Sequence, residues 1–137
     1  MPYAHDLTDA QRDALAQASD WEIYQAIEKV ANSASAAVSY SDDALAGGWF
    51  WGRAAEIFES ASGEIHRLVC VEWDACAKLP GLSDRYEMIA QIADVLMTFA
   101  GGIAGNVMKW VIRGIALALA TLLADRGIGT FCGCPGR

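Results

Sequence analysis

Apolar residues along this chain recur at intervals of three and four, the period of an α-helix. Tyr24, Ile27, Ala31, Ala34 and Val38 follow that spacing. Ser19-Asp20-Trp21-Glu22 precedes them as a capping box, in which the Ser19 hydroxyl and the Glu22 carboxylate each satisfy an amide at the helix start. Thr8-Asp9-Ala10-Gln11 has the same form and opens a short helix to about Ala18. Ser39-Tyr40-Ser41-Asp42-Asp43 supplies turn formers that end the second helix and cap the next. A third helix runs from about Ala44 to Ala61. Gly47-Gly48 weakens its start, and Ser60-Ala61-Ser62-Gly63 breaks it. A fourth, Glu64 to Leu79, places Ile65, Leu68, Val69, Glu72 and Cys76 on or near one face. Pro80-Gly81 stops it.

Ser83-Asp84 caps a fifth helix carrying Met88, Ile89, Ile92, Val95, Leu96 and Phe99. Gly101-Gly102 predicts a turn or kink. A sixth helix spans about Ile103 to Asp125 and ends at Arg126-Gly127, a cation before a C-capping glycine. No stretch alternates apolar and polar residues long enough to form a strand. The pattern predicts an all-α fold: a compact bundle of about five to six helices over residues 1–127, with a very apolar C-terminal helical hairpin. Residues 128–137 form a Gly/Cys-rich tail.

That hairpin decides the class of function. From Val95 to Ala124 only Lys109 and Arg113 are charged. A membrane-spanning helix needs about 20 predominantly apolar residues. Ile103 to Leu123 is long enough, but each of its two cations would cost ~2.5–3.5 kcal/mol near the centre of a bilayer. Burial in the chain's own bundle explains more. Asn106, Lys109 and Arg113 share one stripe, and the later part of the helix is apolar all round, which suits a central position. Asp94 on the fifth helix is placed to pair with Lys109 or Arg113. Gly101 and Gly105 form a small-xxx-small pair that permits close helix approach.

Composition narrows the partners. The 137 residues are 54% hydrophobic, against a usual ~45–50%, and carry a net charge of −7. Nucleic-acid binding requires phosphate-neutralising cations gathered on one face, and here ten cations are scattered among seventeen acids. Nucleic acid is therefore excluded as a primary ligand. The first residues, Met1-Pro2-Tyr3-Ala4-His5-Asp6, do not read as a secretory leader. The expectation is a cytoplasmic protein, with membrane association as the variant, and with reduced cysteines.

Four residues make a formal zinc set: His66 and Cys70, one helical turn apart, with Cys132 and Cys134. The tail spacing is Cys-x-Cys, tighter than the usual zinc pair, and the pattern favours no metal or cofactor. An accessible tail is expected instead, its cysteines reacting before Cys70 and Cys76. Glu56, Glu59, Glu64 and His66 lack the repeated Glu-x-x-His of a di-iron bundle. Metalloprotease, nucleophile-elbow and Walker motifs are absent.

The sequence therefore points to a non-enzymatic helical module that binds a protein partner or a second copy of itself. Its candidate contact residues are Trp49, Phe50 and Trp51, where adjacent rings cannot all face one core, together with Trp110 and Leu119 on the apolar helix. The alternative is a small membrane-inserting effector using the hairpin over 95–124. A third reading, a precursor or a redox or metal protein, would use the Cys132/Cys134 tail.

Overall fold

The computed structural model describes residues 9–31, 47–82, 84–104 and 109–134. Its helices are α1 (Asp9–Gln17), α2 (Asp20–Ala31), α3 (Gly47–His66), α4 (Ala75–Lys78), α5 (Arg85–Ala104), α6 (Lys109–Arg126) and α7 (Ile128–Cys132). No strand occurs among the described residues. Thr8, Ala34, Val38, the turn at 39–43, Ser83, Gly105, Asn106 and Val107 lie outside them, as do the last three residues.

Several ends form where the local chemistry places them. The Ser19 amide donates to Glu22 Oε1 at 2.9 Å and the Glu22 amide to Ser19 Oγ at 3.2 Å, closing the capping box at the start of α2. Asp84 Oδ2 accepts from the Glu87 amide at 2.8 Å and caps α5. Gly127 ends α6 with φ +89°, a conformation that costs a residue with a side chain more than it costs glycine.

The centre of the molecule is α6. Every residue from Gly114 to Leu123 is buried, so no face of this stretch meets water. It packs against α5, α3 and α2. α2 contributes Ile23, Tyr24 and Ile27; α3 contributes Phe50, Ala54 and Ile57; α5 contributes Ile89, Ile92, Leu96 and Ala100. These sets recur at helical spacing because only one stripe of each outer helix faces inward. Thr121, the one buried polar side chain among the described residues, donates its hydroxyl to the Leu117 carbonyl at 2.8 Å. A buried hydroxyl left unpaired would be costly. No helix among the described residues is long and apolar enough to cross a membrane.

The break expected at Ser60–Gly63 is present: Ala61 leaves helical geometry (φ −137°, ψ 27°) and kinks α3, so Gly47–His66 is two helical stretches joined there. Two other helix boundaries differ from the sequence expectation. α5 runs through Gly101-Gly102 to Ala104. Gly101 is instead a point of approach: a Cβ there would lie 3.8 Å from the Ile112 side chain of α6. The predicted helix over Glu64–Leu79 is interrupted. A π-helical turn spans Arg67–Glu72, with the Trp73 amide bonded to the Leu68 carbonyl at 2.9 Å. Asp74 then takes a left-handed conformation (φ 62°, ψ 60°) before α4 begins. Lys78 Nζ donates to the freed Trp73 carbonyl at 2.7 Å and lies over the Trp73 ring.

Gly114 fixes how closely α3 approaches α6. A Cβ at this position would stand 2.3 Å from the Phe50 ring, itself fully buried. Gly114→Ala should therefore destabilise the fold by about 1–3 kcal/mol, the usual cost of overpacking. Chemical denaturation of the two proteins measures this. Combining it with Phe50→Leu, which shortens the opposing side chain, should recover part of the loss.

Candidate functional site

Two arginines brace three helices together. Arg113 on α6 donates from Nε to Asp20 on α2 at 2.9 Å and from Nη1 to Asp94 on α5 at 2.6 Å. Arg85 on α5 donates from Nε and Nη2 to the two oxygens of Glu28 on α2, at 2.5 and 3.1 Å. Its Nη2 also reaches Asp125 on α6 at 2.6 Å. Each guanidinium thus holds two carboxylates from the two other helices. The fork geometry of arginine permits this; a lysine presents a point charge instead.

Between the braces lies an aromatic cluster. Trp21 and Tyr86 meet edge-to-face with centroids 4.8 Å apart, and Tyr24 lies 5.4 Å from Trp21 and 4.9 Å from Tyr86. Tyr24 is buried, Tyr86 half-buried, and Trp21 46% exposed. Its neighbours hold the Trp21 ring, yet nearly half the residue faces solvent. Sequence spacing assigned Tyr24 an inward position but did not single out Trp21. The capping box that begins two residues before Trp21, at Ser19, fixes where α2 starts, so this ring's position on the helix was in principle readable.

The cluster shifts its own titrations. Burial, and then the hydrogen bond to Glu28, push the Tyr24 phenol from 10.0 up to about 12. Its hydroxyl donates to Glu28 Oε2 at 2.5 Å. Burial alone would raise the Glu28 carboxyl, but hydrogen bonds from Arg85 and Tyr24 outweigh it and hold the group below its ordinary value. Burial, followed by the negative charge of Asp20, raises the Tyr86 phenol; Asp94 adds to the rise and Arg113 opposes it.

A cleft of about 400 Å³ adjoins one brace, lined by Ala16, Asp20, Met97, Lys109, Trp110 and Arg113. Trp110, one of the sequence-predicted contact residues, belongs to its wall. The indole Nε1 of Trp110 is sealed from solvent and has no hydrogen-bond partner. The other predicted contacts are placed differently. Phe50 and Leu119 are fully buried and serve as packing residues in the core. Trp51 is half-buried against the core. The side chain of Trp49 lies outside the described residues.

The cysteines require a correction. They are not free thiols: Cys70 is bonded to Cys132 and Cys76 to Cys134. The set His66, Cys70, Cys132 and Cys134 therefore does not assemble as a zinc site, because every sulfur is in a disulfide. Among the described residues, no three His, Cys, Asp or Glu side chains converge on a point that could hold a metal. His66 is exposed and lies 5.3 Å from the Phe131 ring, so the fold does bring the tail to His66, through an aromatic contact. Phe131 also packs 5.7 Å from Phe58, which carries Arg126 over its ring at 4.6 Å. Of the di-iron carboxylates, Glu56 pairs with Arg53 and Glu64 with Arg67.

Comparison with known protein families, curated proteins and solved structures finds no match for this chain.

The braces make stability depend on pH at both ends of the scale. The depressed Glu28 carboxyl contributes fully above its unfolded value of about 4.3. That contribution is lost as the pH falls through the lower folded value. Glu28→Gln should cost roughly 1 kcal/mol at neutral pH, Arg85 being well exposed, and should flatten the acid limb of thermal unfolding. Tyr24 acts in the opposite direction. Its contribution is complete below 10.0 and is lost as the pH rises towards about 12. Tyr24→Phe should remove that alkaline loss.

Proposed function

We propose that this chain is a non-enzymatic helical binding module whose contact surface is centred on Trp21 and takes a basic segment of a protein partner. One observation carries the reading: a tryptophan 46% exposed yet held edge-on by Tyr86 and flanked by Tyr24. Tryptophan is enriched among the residues that dominate interface energetics. A ring already fixed in place loses little freedom when a partner covers it.

Charge selects the partner. Asp20 and Asp94 both act on Tyr86, and the chain carries a net charge of −7. A second acidic copy would be repelled from this face, whereas a lysine or arginine would stack on the Trp21 ring and meet the carboxylates. The neighbouring cleft, with Trp110 and Met97 in its walls, can receive an apolar side chain from the same segment. Site and partner thus differ from the sequence expectation, which relied on the apolar helices that the core now encloses.

The disulfides bear on location. Disulfides form and persist in oxidising environments and are rare in the cytosol. Two of them, using all four cysteines, favour an extracytoplasmic setting over the cytoplasmic one expected from the first residues.

A fluorescein-labelled amphipathic helical peptide with alternating lysine and arginine on its polar face is a direct probe. Fluorescence anisotropy at physiological salt should show saturable binding, and Trp21→Ala should weaken it by at least about tenfold. Trp51→Ala should leave it unchanged. Equal losses from both substitutions, or no binding at that salt, would remove the assignment. Light scattering covers the remaining case: a dimer that Trp21→Ala dissolves would give the face to self-association.

A further inference from the structure

We propose that residues 128–134 form a strap that reduction of the two disulfides releases, while the bundle beneath stays folded. The strap has little else to hold it. α7 is five residues long, and isolated helices shorter than ~12–15 residues are marginal in water. Of its residues only Ile128 is buried. Phe131 and Cys132 are half-buried against the core, and Gly129 and Gly133 add no side chain. The core formed by α2, α3, α5 and α6 closes around α6 upstream of the strap.

The other end of each disulfide supports the same reading. Cys70 lies in the π-helical turn and Cys76 in α4, with the left-handed Asp74 between them. A non-glycine residue in that conformation persists only when its surroundings enforce it. The local sequence over Glu64–Leu79 favours an uninterrupted helix. In the interrupted segment Cys70 and Cys76 each bond one of two cysteines only two positions apart, so the bonds hold this shape in place. Reduction removes that hold. The strap then leaves Phe58 and His66, and the 67–78 segment is free to take the continuous helix its sequence favours.

The chemistry uses an external dithiol. One of its thiolates attacks a sulfur of a protein disulfide, giving a mixed disulfide and a protein thiolate that takes up a proton. The second thiol of the reductant displaces the remaining protein sulfur. The reductant leaves as a disulfide and the protein gains two thiols, two electrons and two protons at each bond. All four cysteines are partly exposed, which admits the attacking group.

Hydrogen exchange read by mass spectrometry, with and without dithiothreitol, tests this. In the oxidised protein the Phe131 and Cys134 amides, bonded to the Gly127 and Gly129 carbonyls, should be protected. After reduction and alkylation they should exchange at least about tenfold faster, with α5 and α6 amides nearly unchanged. The His66 ring protons should lose the ring-current shift imposed by Phe131. A second protein, with all four cysteines replaced by serine, should match the reduced form without alkylation. Phe131→Ala with both disulfides intact should keep the Cys134 amide protected. Retained protection over 128–134 after reduction would overturn the proposal, and so would equal loss across α6, since either result ties the strap to the bundle by packing.

Discussion

The enclosure of α6 organises this molecule. A helix whose buried stretch presents apolar side chains in every direction cannot lie on a surface, so it needs neighbours on all sides. α5 packs along it most extensively, and α2 and α3 close the remaining faces. The apolar stripes of those three helices then have only one direction to point. Gly114 sets the closest approach in this arrangement, because the Phe50 ring occupies the volume a side chain would take. The same enclosure uses up the apolar surface that sequence reasoning reserved for a partner.

Charge enters where the helices meet at the edge of that core. Covering a guanidinium, as at Arg113, is costly unless its donors are satisfied, and both Arg113 and the more exposed Arg85 hold two carboxylates. The Arg113 brace joins α6 to α2 and α5, and the Arg85 brace joins α5 to α2 and α6. Three helices thus share two charged fastenings, whose directional hydrogen bonds set orientation more than they add stability. The aromatic cluster lies between them. Trp21 and Tyr86 meet edge-to-face across α2 and α5, with Tyr24 tilted against both, and Trp21 is left outward. The proposed binding surface is thus a by-product of how the core's edge was closed.

The C-terminal end relies on a different force. Seven residues with a single buried side chain contribute little packing, and two disulfides supply what packing does not. The sulfur bonds also reach back to the segment between α3 and α5, so they join the residues that precede α5 to those that follow α6. The bundle is held by burial and the strap by covalent bonds, and these respond to different conditions. Acid and heat act mainly on the first, a dithiol on the second.

Much of the local structure was determined by the sequence alone. Ser19 and Glu22 cap α2, Asp84 caps α5, and Gly127 ends α6, because each depends on atoms within a few residues. The sequence also offered Lys109 or Arg113 as the partner of Asp94, and the structure uses Arg113. Tertiary structure alone decided the rest. Four cysteines allow three pairings, and the observed bonds join residues 62 and 58 positions apart. The interruption at Asp74 departs from the helix expected over Glu64–Leu79 and lies between the two bonded cysteines of that segment. Gly101-Gly102 stays helical because α6 packs alongside. Trp21 is exposed, and Phe50 and Leu119 buried, because of which helices became neighbours. Local hydrogen bonding is written in adjacent residues, whereas the partner of a ring or a thiol is settled only when distant segments pack.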